Sequence, residues 1–133
     1  MKLASGVSPV SKMIDKGICV SIGTDGASSN NNLDLIEELK TASLLQKVST
    51  LDPKVLSSDE AIEMATIKGA EALGLDSEIG SVEVGKKADL ILIDTNSANM
   101  VPDSSSLSSN VIYSANGSNV DTTFCNGKIL MEN

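Results

Sequence analysis

The stretch from residue 17 to residue 34 limits the possible folds of this chain more than any other part of its sequence. Residues 18–22 form a short apolar, β-branched run that predicts a buried strand. Residues 23–32 are small, polar and interrupted by glycine, which predicts a loop. Asp25 stands just after the strand. Because barrel and open α/β enzymes place reactive groups at the carboxyl ends of buried strands, this pattern favours an α/β fold.

Asp25 has two interpretations when only its neighbours are considered. It can be a metal ligand or a proton-transfer carboxylate at the mouth of a barrel. It can equally be the aspartate of an Asx turn or a helix cap, which is common beside glycine, and the residues alone favour this second interpretation. A catalytic zinc ion normally takes three protein ligands, so one carboxylate is not enough. The chain contains no histidine, the commonest metal ligand and general base.

Residues 1–75 carry three helix patterns around the predicted strand. The first begins with Ser8 as a cap followed by proline, and the second begins near Leu33 with Asn31 or Asn32 as its cap. The third follows Ser57, which has capping-box spacing to a glutamate three positions later. A helix, a short connection and a buried strand in succession are typical of α/β folds.

Residues 76–133 change to a mostly β pattern. Residues 90–93 are a strong strand candidate, and residues 95–109 are rich in serine and asparagine, which predicts a surface loop. Near the end, Asn126 and Gly127 separate two β-type runs, a combination that predicts a hairpin with a type I′ turn.

Composition excludes several classes of partner. The net charge of −8 argues against nucleic acid and anionic membranes, because phosphate contacts need clustered lysine and arginine. No apolar run reaches the length of a membrane helix, and the first residues lack a signal-peptide core. We expect Cys19 to be buried and inert. Both Cys19 and Cys125 are typical of reduced thiols. We therefore expect a cytoplasmic protein.

Three segments resemble, in order, the C-terminal part of the amidohydrolase superfamily. They are residues 1–10, residues 23–34 with the sequence TDGASSNN near their start, and residues 80–94 with the sequence GSVEVGKKADL. The last segment is specific to the superfamily. The middle segment is most similar to the branch of methylthioadenosine/S-adenosylhomocysteine deaminases, triazine chlorohydrolases and cytosine or guanine deaminases.

This resemblance implies the C-terminal part of a metal-dependent (β/α)₈ barrel, followed by part of a small β-sandwich. Residues 1–75 would supply the last barrel strand, at residues 18–22, with its flanking helices, and residues 76–133 would belong to the sandwich. Asp25 would be a metal ligand and a catalytic residue. In the family, zinc or another divalent ion lowers the pKa of a water. The aspartate takes its proton, hydroxide attacks C6 of a purine, and ammonia leaves.

The resemblance also implies that the chain is a fragment. The family's metal site needs histidines from earlier strands, so we expect this chain neither to bind the metal tightly nor to deaminate a small-molecule substrate alone. A related chlorohydrolase or a cytosine or guanine deaminase is one alternative, and a non-enzymatic α/β module is another. Strand edges that lack their partners are expected to promote self-association.

Overall fold

The computed structural model describes residues 2–102 and 106–133. Within them, most of the helices precede the strands. The helices are α1 (Val10–Asp15), α2 (Ala27–Asn30), α3 (Leu35–Thr50), α4 (Ser58–Ala65), α5 (Ile67–Leu73) and α6 (Leu107–Ser114). The strands are β1 (Leu90–Ile93), β2 (Val120–Cys125) and β3 (Lys128–Glu132). The chain is therefore an α/β structure, as its sequence predicts.

Residues 18–22 belong to no helix or strand, so the prediction of a paired, buried strand is wrong for this chain by itself. Ile18 is 49% exposed. The backbone N–H of Ile22 donates to the carbonyl of Met64 in α4, at 3.3 Å, instead of to a neighbouring strand. An apolar run favours an extended backbone, but a strand also needs a second strand beside it.

Helix α3 starts later than predicted because its cap is Asp34, not Asn31 or Asn32. The Asp34 carboxylate accepts hydrogen bonds from the N–H groups of Ile36 and Glu37. Such a cap satisfies amide groups that have no partner inside the helix. Ile36 and Leu39 form the apolar part of the helix face that turns inward.

Helices α4 and α5 fulfil one sequence prediction and modify another. The capping box between Ser57 and Glu60 is present at the start of α4. The sequence pattern predicts one continuous helix from the cap at Ser57 to Gly74. The helix is instead broken at Thr66, where φ is −122° and ψ is −99°, and α5 then ends at Gly74 in the left-handed conformation. The N–H of Thr66 donates to the carbonyl of Glu63, which closes the last turn of α4.

The three strands form one antiparallel sheet in the order β1-β2-β3. Leu90 pairs with Phe124, and Cys125 pairs with Lys128 beside the hairpin turn. Asn126 and Gly127 both have positive φ, 48° and 75°, as the type I′ turn requires. The predicted hairpin is therefore confirmed.

The main core lies between helices and not on the sheet. Ile112 of α6 is fully buried and packs with Leu39 of α3 and Ala61 of α4. Helix α6 begins inside the stretch predicted to be a surface loop, of which residues 103–105 lie outside the described part of the chain. Thus α6, from the mostly β half of the sequence, completes the helical layer that supports residues 17–34.

No helix within the described residues is both long enough and apolar enough to cross a membrane.

Candidate functional site

Asp25 lies in the connection between residues 18–22 and helix α2. Its φ is +60°, in the left-handed region that aspartate tolerates better than most side chains. Gly26 follows in an extended conformation and is the N-cap of α2. The turn leaves Asp25 exposed to solvent, so its carboxylate is open to further ligands.

The carboxylate of Asp25 is held by two hydrogen bonds from its own loop. The backbone N–H of Gly26 donates to Oδ1 at 2.6 Å, and the hydroxyl of Ser29 donates to Oδ2 at 2.8 Å. These bonds, that of Gly26 first, lower the pKa of Asp25 from its ordinary value of 3.8. The group is therefore ionised at neutral pH, and each oxygen keeps a lone pair for another contact.

The short helix α2 explains how Ser29 reaches the carboxylate. Its four residues turn the chain through one helical turn, which brings the Ser29 hydroxyl back over the start of the loop. Asn31 ends α2 in the left-handed conformation, with φ of 68°. The sequence predicts only a loop here, because a helix of a single turn is too short to show apolar periodicity.

Asn30 connects the Asp25 loop to helix α3. Its side-chain amide donates to the carbonyl oxygen of Thr24 at 2.9 Å and to Oε1 of Glu38 at 2.7 Å. Both hydrogen bonds are partly buried. From the sequence, the asparagines of this loop could bind a substrate by hydrogen bonds or act as helix caps, with caps favoured, and no pattern within the loop pointed to a glutamate eight positions later.

The donor groups of this chain fit one position of a metal site and not a complete site. The described residues contain no group of three or more histidine, cysteine, aspartate or glutamate side chains that could hold an ion. The ionised carboxylate of Asp25 is an oxygen ligand that zinc accepts. Within the part of the chain that the structure describes, Asp25 is therefore not a member of a group that could hold an ion by itself.

The two cysteines do not belong to this site. Cys19 is exposed, not buried as predicted, because residues 18–22 are not covered by neighbouring strands. Its thiol donates to the carbonyl of Lys68 and to the carboxylate of Glu71 in α5. Cys125, at the hairpin, is exposed and unpaired as well. The Cys19 thiol and the Glu71 carboxylate belong to a contact between residues 18–22 and α5, apart from the Asp25 loop.

Comparison with known proteins identifies the family of this chain. Residues 1–130 match the amidohydrolase family. The chain belongs to this family. The resemblance inferred from the three sequence segments is therefore confirmed, and membership of a family of (β/α)₈ barrel-type enzymes is consistent with the α/β structure.

Curated relatives resemble the amidohydrolase chain along its whole length. It is 77% identical over 133 residues to the 5′-deoxyadenosine deaminase of Methanobrevibacter smithii, and covers 31% of that protein. It is 55% identical over 131 residues to the 5-methylthioadenosine/S-adenosylhomocysteine deaminase of Moorella thermoacetica, and covers 30% of it. The chain thus spans about a third of the length of these relatives.

Solved structures of the family share the same arrangement. An adenosine deaminase from Xanthomonas campestris with bound zinc superposes with a TM-score of 0.95 at 37% identity, over 98% of this chain and 30% of that one. An atrazine chlorohydrolase from Arthrobacter aurescens complexed with zinc gives a TM-score of 0.87 at 28% identity, over 96% and 28%. The amidohydrolase chain therefore has the backbone of the matching third of zinc-containing enzymes.

Proposed function

We propose that this chain is the C-terminal part of an enzyme that removes the amino group of a purine nucleoside-type substrate by hydrolysis. The substrate class is that of 5′-deoxyadenosine, methylthioadenosine, S-adenosylhomocysteine and adenosine. The observation that carries the proposal is the 77% identity, over all 133 residues, to a 5′-deoxyadenosine deaminase. The reaction replaces the exocyclic amine of the purine with oxygen from water and releases ammonia.

Asp25 is the residue of this chain that takes part in the proposed chemistry, as a metal ligand and as a proton carrier. When bound, zinc or another divalent ion supplies a water molecule of lowered pKa as the nucleophile. Asp25 takes a proton from the attacking water and returns it to the departing amine. Oδ2 suits this role better than Oδ1, because its partner is the rotatable hydroxyl of Ser29 and not a fixed backbone N–H.

The proposed architecture assigns residues 1–75 to the C-terminal piece of the (β/α)₈ barrel and residues 76–133 to part of a β-sandwich. Residues 18–22 would become the last barrel strand once neighbouring strands pair with them. Their apolar, β-branched sequence supports this assignment, since such a run forms a ladder when it has lateral partners. Two unpaired thiols support a reducing, cytoplasmic location.

The alternative hydrolases have weaker support. The chain is 28% identical to the atrazine chlorohydrolase and 25% identical to a guanine deaminase of E. coli, far below its identity to the nucleoside deaminase. The other alternative, a non-enzymatic α/β module, has one argument in its favour, which is that the chain contains no histidine. That argument applies to the isolated chain and not to a longer protein that contains it.

A chimera tests the proposal directly. The matching 133-residue stretch of the Methanobrevibacter deaminase is replaced by this chain, and deamination of 5′-deoxyadenosine, methylthioadenosine and S-adenosylhomocysteine is followed by ultraviolet absorbance. We expect an active, zinc-containing chimera that Asp25→Ala inactivates without unfolding. Asp76→Ala, at another exposed aspartate, should leave the rate unchanged. An inactive but folded chimera, or near-normal turnover after Asp25→Ala, would contradict the proposal.

The isolated chain provides the second half of this test. We expect no stoichiometric zinc and no turnover, since Asp25 lacks the other ligands. We also expect self-association through the edge strands β1 and β3, where Leu130 is 66% exposed. Sedimentation velocity should show less association for Leu130→Lys. Leu51→Lys, the same change at an exposed leucine outside the sheet, should not reduce it.

A further inference from the structure

We propose that Glu38 and Asn30 are positioning residues that fix the Asp25 carboxylate relative to helix α3. This inference rests on the proposed role of Asp25. It assigns to Glu38, a residue that contacts neither the carboxylate nor its direct partners, an effect on what that carboxylate does.

The Asp25 carboxylate is held by residues of its own loop. Its partners Gly26 and Ser29 belong to the same short loop as Asp25 itself. They set the orientation of the carboxylate within the loop. They do not set the position of the loop relative to the rest of the molecule, because all three residues would move together.

The peptide bond that precedes Asp25 is held by Asn30. The carbonyl of Thr24 and the N–H of Asp25 lie in one rigid plane, so holding the oxygen of Thr24 fixes the start of the Asp25 backbone. The amide of Asn30 holds that oxygen at 2.9 Å. Asp25 has a φ of +60°, a conformation of limited stability that benefits from an external constraint.

Asn30 is held in turn by Glu38 of helix α3. Its amide also donates to Glu38 at 2.7 Å, and Glu38 lies on α3 between the buried residues Ile36 and Leu39. The core therefore anchors the part of the helix from which Glu38 projects. A continuous path of two hydrogen bonds leads from this rigid helix to the peptide bond of Asp25.

The chain contains a matched control one residue away. Glu37, on the same turn of α3, accepts a hydrogen bond from the side-chain amide of Asn32. This second asparagine–glutamate pair resembles the first in chemistry and in its position at the start of α3. The structure describes no hydrogen bond between this pair and Thr24 or Asp25, so its loss should affect local stability alone.

The experiment compares Glu38→Ala, Glu38→Gln and Glu37→Ala in the chimera described above. Glu38→Ala should lower kcat by up to about 10-fold, the lower end of the effect of losing a direct partner of a metal ligand, because Glu38 acts through Asn30 and Thr24. It should also weaken zinc in chelator competition. KM should stay near its original value. Glu38→Gln should restore both quantities, because its side-chain oxygen still accepts from Asn30. Glu37→Ala should change neither.

A readout that does not depend on turnover is amide hydrogen exchange. Exchange in residues 23–31 should become faster after Glu38→Ala and not after Glu37→Ala. The inference is overturned if the two alanine variants behave alike in kcat, zinc affinity and exchange. It is also overturned if Glu38→Gln is as impaired as Glu38→Ala. Failure of the proposed function looks different, since Asp25→Ala would then keep its activity whatever residue 38 is.

Discussion

The carboxylate of Asp34 accepts a hydrogen bond from the backbone N–H of Gly117 at 2.6 Å, across 83 positions of the sequence. Its other oxygen caps helix α3 through the N–H groups of Ile36 and Glu37. One side chain therefore closes the start of a helix in the first half of the chain and holds the turn before β2 in the second half.

Replacing Asp34 should destabilise the chain by more than the loss of an ordinary helix cap. Asp34→Ala removes the cap, worth about 1 kcal/mol, and the charge-assisted bond to Gly117, worth about 1.5–3 kcal/mol. Urea unfolding of the 133-residue chain measures the difference. Asp34→Asn keeps an oxygen acceptor and should recover part of the loss. Equal unfolding midpoints for the natural chain and Asp34→Ala would show that the contact is not stabilising.

Gly80→Ala should be strongly destabilising, and Gly85→Ala provides its control. Both glycines have left-handed φ values, +91° and +98°. An added Cβ at Gly80 would lie 2.7 Å from Cβ of Ala70, whereas nothing lies within 4 Å at Gly85. We expect a cost of about 1–2 kcal/mol at Gly85 from backbone strain, and a further loss of about 1–3 kcal/mol at Gly80 from the steric clash. Equal losses in thermal unfolding would contradict the clash.

The hydroxyl of Tyr113 should contribute to stability through Ser43, which is fully buried. Ser43 donates to the carbonyl of Leu56 at 2.9 Å, so the hydroxyl of Tyr113 is the donor in its 2.8 Å bond to Ser43. Tyr113→Phe should cost about 1 kcal/mol of unfolding free energy. In a double-mutant cycle, Tyr113→Phe should cost less once Ser43→Ala is present. Additive losses would indicate that the two hydroxyls do not interact.

Acid should destabilise the chain as the pH falls through the titration range of its carboxyl groups. The pKa values of Asp25, Asp94, Glu71 and Glu83 are all lowered, chiefly by hydrogen bonds. Their ordinary values are 3.8 for aspartate and 4.5 for glutamate. The folded state therefore binds fewer protons than the unfolded state in this range, so its stability is present above these values and is lost as the pH falls. Urea midpoints should be constant above about pH 5.5 and decrease below about pH 4.5.

A single variant tests the cause of one of these shifts. The hydroxyl of Ser97 donates to Asp94 at 2.6 Å and is the largest contribution to its lowered pKa. Ser97→Ala should move the pKa of Asp94 upward, toward its ordinary value, in a carbon-detected NMR titration. The pKa of Asp25 should stay where it is in the same experiment. An unchanged pKa of Asp94 would remove Ser97 as the cause.

Local patterns in the sequence predict the local structure well. The capping box at Ser57 and the hairpin at Asn126 form as predicted, because each depends on residues within a few positions of one another. The cap of α3 is mispredicted since asparagines at positions 31 and 32 and aspartate at position 34 are all suitable caps. Contacts in the folded chain distinguish them, since Asn31 ends α2 and Asn32 accepts from the N–H of Asp34, while Asp34 caps α3 and accepts from Gly117.

Features that depend on distant segments are not predictable in this way. Residues 18–22 have the composition of a strand, but pairing needs a neighbour that their own sequence does not specify. The bond from Asn30 to Glu38 was missed for a related reason, since neither residue forms a motif with the other. The sequence predicts that Asp25 lies in a loop. Its hydrogen-bond partners Gly26 and Ser29 depend on the geometry of the turn, which the sequence pattern does not reveal.

The burial of Ile112 against Leu39 and Ala61 has a consequence for the order of events during synthesis. Helices α3 and α4 leave the ribosome with this apolar surface open, and α6 covers it only after the residues from the end of α4 at Ala65 to the end of α6 at Ser114 have been made. At about 5–20 residues per second, that interval lasts several seconds. During that interval the apolar faces of α3 and α4 are open to chaperones and to other nascent chains.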